Sequence, residues 1–395
     1  MRVAVVADFA EEGWPSMDLV ADALFDRLRV EHADEVSAVL IRPRFKRRFT
    51  RAGTAAGREG VRRVMFNADR LLNRFIDYPR LMTRTCGDFD VIHITDHSYA
   101  HLVRHVTARC AIVTCHDLDA FRAVIEPSAA PRSKPFRMMA TRVLSGLGAA
   151  AMVACDSAAT RDEVLRHRLV APERTVVIPN GVAPIFRVQP DPQADREAER
   201  MLGPIRADAV EILHVGSTIA RKRIDVLLRT FAGIREAHPA ARLVRVSGLF
   251  TAEQARLVRE LGIGDATAVL PFVEPAVLAA IYRRAGLVLI TSEHEGFGLP
   301  LVEAMACGAP VLASDLAVLR EVGGGAAEFT PVGDVPSWTS TALRLLRERA
   351  HEPAGWSARR ANAIRHAAQF SWSEYARRYV ELYRQVASSA ARMPE

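Results

Sequence analysis

Glu295 and Glu303 stand in the string Ser292-Glu-His-Glu-Gly-Phe-Gly-Leu-Pro-Leu-Val-Glu-Ala-Met-Ala-Cys-Gly308. The string follows an apolar run at 287–290 that reads as a buried strand. Pro300 suits a first helical position and Gly308 a helix stop. Gly296, Phe297, Gly298 and Leu299 then form a loop at a helix N-terminus, on the carboxyl side of a parallel strand. Free peptide N–H groups and the positive dipole end favour an anion there. Open α/β sheets bind ligands at that edge. Glu295 is placed in the loop and Glu303 in the first helical turn. Two carboxylates so placed can accept paired hydrogen bonds from sugar or ribose hydroxyls. A glutamate early in a helix also favours the dipole without binding anything, so Glu303 alone decides little.

A second constellation is His214-Val-Gly-Ser-Thr-Ile-Ala-Arg-Lys-Arg-Ile-Asp225. A strand ends near Val215, and Gly216 and Ser217 turn the chain. Arg221, Lys222 and Arg223 precede a helix starting near Ile224. In outline this is a pyrophosphate cradle: a glycine for close backbone approach, a helix N-terminus and cations. A solvated basic loop fits the same residues. His116 and Asp117 lie just past an apolar run at 111–114, and Asp96-His97-Ser98-Tyr99 just past another at 91–94. A histidine at a strand end is either a packed, satisfied residue or a ligand-facing one. Gly146-Leu-Gly148-Ala-Ala-Ala151 fits the dinucleotide pattern G-x-G-x-x-A, but follows a helix and opens a strand, the reverse of what that fingerprint needs. A nicotinamide dehydrogenase is set aside on that ground. There is no Walker lysine loop, no H-E-x-x-H and no zinc spacing, so no metal ligands are expected.

These sites need rigid elements to hold them, and the chain is long enough to supply two or three domains: 395 residues, 49% hydrophobic and 25% charged. Those proportions exclude disorder and a disulfide-stapled miniprotein. Net charge is +7, which suits anionic partners without choosing among them. Five cysteines without a C-x-x-C pair fit a reducing compartment. The apolar start meets Asp8, Glu11 and Glu12 at once, so no signal peptide is read, and no run reaches the ~20 residues of a membrane span. A cytoplasmic protein is expected, with a place on a membrane surface left open.

Short apolar runs at 3–7, 36–41, 91–94, 111–114, 151–154 and 175–178 read as strands of one set. Those at 211–215, 242–246, 268–270, 287–290 and 310–313 form a second. Amphipathic helical patterns lie between, clearest in Ile224, Leu227, Leu228, Phe231 and Ile234. The expected fold class is α/β: two doubly wound, Rossmann-like parallel-sheet domains. The polar, proline-bearing stretch 190–200 is taken as the boundary, giving domains 1–190 and 201–368.

Residues 42–63 hold nine Lys or Arg against one acid, Glu59, with Phe45 and Phe49 interleaved. An anionic lipid surface, a phosphorylated acceptor and a plain solvated face are all open readings. No stacking sheet or helix-turn-helix pattern supports nucleic acid.

Glu295-Gly-Phe-Gly-Leu-Pro-Leu-Val-Glu303 resembles the E-x7-E signature of retaining family-four glycosyltransferases of the GT-B fold. Val177-Ile-Pro-Asn-Gly-Val182, Arg221-Lys222, Ile281-Tyr-Arg-Arg-Ala-Gly286, Ser314-Asp-Leu316, Arg320-Glu-Val-Gly323 and Phe370-Ser-Trp372 agree in order. The C-terminal half matches throughout. The N-terminal half matches at His116-Asp117 and Ser157, and loosely elsewhere. The resemblance implies a GT-B pair of domains with 369–395 as a helix crossing back to the first.

It further implies transfer of a sugar from a nucleoside diphosphate sugar to a glycan or lipid-linked acceptor, with retained configuration and no resident cofactor or metal. Glu303 would hold the donor ribose. Glu295 and the backbone of Gly296, Phe297, Gly298 and Leu299 would contact the donor sugar. Lys222, with Arg221, Gly216 and Ser217 beside it, would meet the diphosphate. His116 would face the transferred sugar, and Gly13 would cover the phosphates from the first strand–helix loop. This sequence departs from the family where many members carry Arg at the position of Ser217, and where Glu11-Glu12-Gly13-Trp14 replaces paired glycines. Arg221 or Arg223 is the expected substitute for the missing charge. Rival readings are a nucleotide-sugar epimerase or phosphorylase on the same fold, and a non-catalytic sugar-binding module.

Overall fold

Runs of Val, Ile, Leu and Ala too short for helices become strands buried on both faces, as parallel sheets require. The computed structural model describes residues 1–50, 59–128, 130–206 and 209–392. β1 (Arg2–Val6), β2 (Ser37–Ile41), β3 (Val91–Ile94), β4 (Ala111–Cys115), β5 (Met152–Cys155) and β6 (Thr175–Val177) form one parallel sheet in the order β2-β1-β3-β4-β5-β6. β7 (Glu211–Val215), β8 (Arg242–Val246), β9 (Thr267–Leu270), β10 (Leu287–Ile290), β11 (Val311–Ser314) and β12 (Glu328–Thr330) form the second, in the order β12-β11-β10-β7-β8-β9. β12 escapes the sequence reading because it is three residues long with one large apolar side chain, Phe329. The first sheet reverses its strand order between β1 and β3, the second between β7 and β10. Ligands of such sheets bind outside the carboxyl ends at those reversals.

The helix Ile224–Ala237 covers the second sheet. Leu227, Leu228, Phe231 and Ile234 are fully buried on its inner face, each contributing roughly 1.5–3 kcal/mol relative to exposure. Gly146 sits in the helix Lys134–Ala149, where a Cβ would lie 2.1 Å from the Ala100 carbonyl oxygen. Its lack of a side chain lets that helix pack against residues 97–105. Gly146 thus serves helix packing and not a dinucleotide turn.

The chain divides into one unit of Met1–Asn180 with Trp372–Glu395, and a second of Gly181–Ser371. The division falls before the polar stretch 190–200 taken as the boundary. That stretch is largely helix, Pro192–Leu202, capped by Asp191 and burying Ala194, Ala198 and Leu202. Two prolines that look like linker punctuation frame a helix start, and residues at intervals of four supply its buried face.

The last helix, Trp372–Arg392, belongs with the first unit, as the C-terminal return predicts. Tyr375, Tyr379 and Tyr383, four apart, are buried on one face. Tyr383 Oη meets His93 Nδ1 at 2.7 Å, and Tyr379 Oη meets Thr114 Oγ1 at 2.7 Å. His93 Nε2 and Thr114 Oγ1 close the chain at 2.7 Å. Among the described residues the five cysteines are free, and no helix is long and apolar enough to cross a membrane.

Candidate functional site

In the second unit the two richest motifs meet at the reversal between β7 and β10. The loop after β7 ends in a short turn at Ala220–Lys222, and Thr291 Oγ1 donates to the Lys222 carbonyl oxygen at 2.9 Å. Glu293 N–H donates to the Arg221 carbonyl oxygen at 2.8 Å. These bonds fasten the basic loop to the glutamate loop. Lys222 Nζ then reaches Glu295 Oε1 at 2.5 Å, and Ser292 Oγ donates to the same oxygen at 2.7 Å. Arg221 donates to the His294 carbonyl oxygen at 2.8 Å and stands 3.7 Å from Glu295 Oε2. Burial works against ionisation of Glu295, yet Lys222 and Arg221 hold its carboxyl below the usual range. Arg223 is spent elsewhere: it pairs with Asp225 at 2.8 Å and Glu293 at 3.5 Å.

Gly298 caps the helix Leu299–Ala306 with φ 95°, a left-handed backbone that favours glycine. A Cβ there would also come within 2.7 Å of Leu319. Pro300 takes the second helical position rather than the first, and Glu303 opens the second turn, one residue beyond the reach expected from the sequence. Glu303 is buried, and Tyr282 Oη donates to its Oε2 at 3.0 Å. Burial pushes its carboxyl up to about 7, while the Tyr282 bond works the other way. The Phe297 side chain is buried, edge-on to Phe370 at 5.7 Å. Only the Phe297 backbone, with Gly296 and Leu299, remains to line the loop. Gly216 and Ser217 follow β7 directly, Gly216 N–H donating to the Val246 carbonyl oxygen at 3.1 Å.

In the first unit, Asp8, Asp96, His116 and Asp156 follow β1, β3, β4 and β5. His116 is not free to face a sugar with a ring nitrogen. Its Nδ1 meets Asp156 Oδ2 at 3.1 Å and its Nε2 meets the Thr95 carbonyl oxygen at 2.8 Å. Burial lowers the basicity of this imidazole, but Asp156 outweighs it and the ring is raised to about 9. Both nitrogens then carry protons and both are used. Burial first, and then the nearby Asp96 charge, raise the Asp8 carboxyl well above the usual range. Gly13 ends the turn Ala10–Glu12 with φ 71°, and Trp14 beside it is 48% exposed. Ser157 caps the helix Ala158–Arg166.

Asp8, Asp156 and Tyr282 were missed from sequence. A signal for the two aspartates existed: each directly follows an apolar run, at the same place as Asp96 and His116. Tyr282 had none, being an ordinary helix residue until the fold sets it against Glu303.

The basic stretch 42–63 is less uniform than its composition suggests. Residues 51–58, including Arg51 and Arg58, lie outside the described residues. Phe45 is core, stacked on Phe66 at 5.5 Å and edge-on to Phe9 at 5.6 Å, so of the two interleaved aromatics only Phe49 lies with the exposed cations. Lys46 and Arg48 pair with Asp77 at 2.9 and 2.7 Å. Arg44, Arg47, Arg62 and Arg63 are exposed, among exposed Phe49, Val61, Val64 and Met65. No cluster of three or more His, Cys, Asp or Glu suited to a metal occurs among the described residues.

A sequence profile for "Glycosyltransferase Family 4" matches residues 31–184, and one for "Glycosyl transferases group 1" matches 195–336. The D-inositol 3-phosphate glycosyltransferase 1 of Catenulispora acidiphila is 31% identical over 319 residues, covering 77% of this chain and 74% of that protein. A D-inositol 3-phosphate glycosyltransferase of Thermobispora bispora is 37% identical, over 54% of this chain and 50% of its own length. In structure the chain is similar to sucrose-phosphate synthase from Thermosynechococcus elongatus, with a TM-score of 0.73 at 21% identity over 98% of this chain and all of the other. It is also similar to Anabaena HepE solved with UDP-glucose, with a TM-score of 0.68 at 17% identity over the whole of both chains. Two reversing parallel sheets with a returning C-terminal helix, and profile matches in both halves, have one common source: the chain belongs to the family-four glycosyltransferases of the GT-B fold.

Proposed function

We propose that this glycosyltransferase uses a nucleoside diphosphate sugar as donor, retains the anomeric configuration, and glycosylates a hydroxyl of a polyol phosphate or of a lipid-linked or polysaccharide precursor. The observation that carries the reading is the Lys222–Glu295 pair at the β7/β10 reversal. A cation there suits a diphosphate, and a carboxylate beside it suits sugar hydroxyls. The helix N-terminus at Leu299 adds its dipole. In this reading the bond from the sugar C1 to the diphosphate oxygen breaks, and the acceptor oxygen bonds to C1 on the same face. The acceptor proton passes to the departing phosphate, whose charge Lys222 and Arg221 stabilise. Glu303 binds the donor ribose. Gly13 covers the phosphates, and His116 acts through its ring face and its contacts with Asp156 and Thr95.

Relatives named for D-inositol 3-phosphate make that acceptor the first to screen. The exposed Arg44, Arg47, Arg62 and Arg63 beside Phe49, Val61, Val64 and Met65 suit an anionic lipid surface, and so support a cytoplasmic protein working at a membrane face. The deciding experiment is proton NMR of the product's anomeric signal early in turnover, with and without EDTA. A retained configuration and turnover that survives the chelator are expected. An inverted product removes the retaining assignment, and a magnesium-reversible loss removes the metal-independent one.

A further inference from the structure

Arg245 on β8 is fully buried, yet makes no ion pair among the described residues. A buried, uncompensated guanidinium is costly, so its contacts need an account. Nη2 donates to the Gly216 carbonyl oxygen at 2.8 Å, and Nη1 donates to the Gly248 carbonyl oxygen. Phe250 stacks on its outer face, 5.3 Å from the ring centroid. Nε has no partner among the described residues, nor has Nδ1 of the neighbouring buried His214.

One guanidinium thus ties the loop after β7 to the loop after β8. The loop after β8 holds uncommon backbone: Ser247 has φ 80° and Gly248 φ 124°. A non-glycine residue at positive φ is held by its surroundings, and such strain clusters at binding sites. The two gripped carbonyls have a geometric consequence. In a trans peptide the N–H points opposite to the C=O, and no peptide bond among the described residues is cis. With the Gly216 and Gly248 oxygens turned inward to Arg245, the N–H groups of Ser217 and Leu249 turn outward. Ser217 and Leu249 are both exposed, and neither N–H has a partner among the described residues.

We infer that Arg245 is a positioning residue for the donor diphosphate: it holds the Ser217 and Leu249 peptide N–H groups as a paired anion-binding site and sets a buried positive charge beneath them. This fills the place left by Ser217, which brings no cation of its own, and which Arg223 cannot serve while paired with Asp225 and Glu293. The inference rests on the nucleotide-sugar reading of the same edge and adds to it a residue with no side-chain contact to the ligand.

The experiment titrates wild type with UDP, GDP and ADP by calorimetry and carries the tightest forward with its nucleoside. Arg245→Met should weaken the diphosphate at least tenfold and leave the nucleoside within twofold. Arg245→Lys, which keeps the charge but loses the fork, should fall between. A destabilised but otherwise intact site would weaken both ligands together, and that result overturns the inference. So does a folded Arg245→Met with unchanged diphosphate affinity. If Arg245→Met does not fold, Arg245→Lys decides: a threefold or larger loss confined to the diphosphate supports the inference, and wild-type affinity ends it. Wild type binding none of the three diphosphates would fail the nucleotide reading itself, and this inference with it.

Discussion

Lys222 Nζ and Glu295 Oε1 stand 2.5 Å apart, joined across 73 residues of chain. The ammonium therefore has a carboxylate partner before any ligand arrives, and in the proposed reading an entering diphosphate would compete with Glu295 for it. Lys222→Ala should weaken nucleoside diphosphate binding by roughly 1.5–3 kcal/mol, the worth of a charge-assisted hydrogen bond. Glu295→Gln should do the reverse for the bare diphosphate, binding it as tightly or more so, while turnover of the sugar donor falls. Calorimetry on both variants checks this, and equal losses in the two would contradict separate roles.

Glu303 carries a pH signature. Its buried carboxyl is raised to about 7 from an ordinary value near 4.5. Between those values the folded protein holds a proton that the unfolded chain has released, so stability falls as pH rises through the window. Glu303→Gln should therefore match wild type at pH 4 and be the more stable of the two at pH 8. Ribose binding by the carboxylate predicts a donor affinity that climbs from pH 6 to pH 8 in wild type and stays flat in the variant. Thermal shift and calorimetry across that range test both halves. A wild-type affinity that does not change with pH would remove the ribose role.

Three buried histidines act in the opposite sense. Burial lowers His93, His101 and His214 to about 3. Each stays neutral in the folded state while its unfolded counterpart protonates below about 6.5. Stability should fall as pH drops from there, by roughly 1.4 kcal/mol per pH unit for each such group. His93→Gln should remove about one group's share of that slope. Denaturant unfolding at pH 7, 6 and 5 measures it, and an unchanged slope would mean that His93 charges without penalty.

The exposed cations of the first unit should bind anionic vesicles in a salt-sensitive way. Replacing Arg44, Arg47, Arg62 and Arg63 by Gln should remove roughly 1 kcal/mol for each cation near such a surface, with donor affinity unchanged. Replacing Lys46 and Arg48, which share the single Asp77 carboxylate, should do less. Cosedimentation at low and high salt compares the two variants. Equal binding by wild type and the fourfold variant would leave these residues as a solvated face.

Most of the sheet framework could be read from the chain because parallel strands are apolar on both faces and bounded by turns. The glutamate and lysine loops were legible for a related reason: each directly follows such a strand. What could not be read depends on contacts distant in sequence. Asp191 and Pro192 look like a linker until Ala194, Ala198 and Leu202 find a surface to cover. Phe45 looks exposed among cations until Phe9 and Phe66 enclose it. His116 looks available until Asp156 and Thr95 occupy both nitrogens. Arg245 reads as one more arginine in a strand, and only the fold shows that it has no counter-ion among the described residues.

The returning C-terminal helix also bears on how the chain is made. His93 and Thr114 emerge from the ribosome before the second unit, but Tyr379 and Tyr383, which complete their buried bonds, emerge after it. At ~5–20 residues per second, that face of the first sheet waits roughly 10–60 s for its cover. The second unit, Gly181–Ser371, is complete before then. The unit whose strands are synthesised first is thus the last to finish, and its buried His93 and Thr114 lack their tyrosine partners throughout that interval.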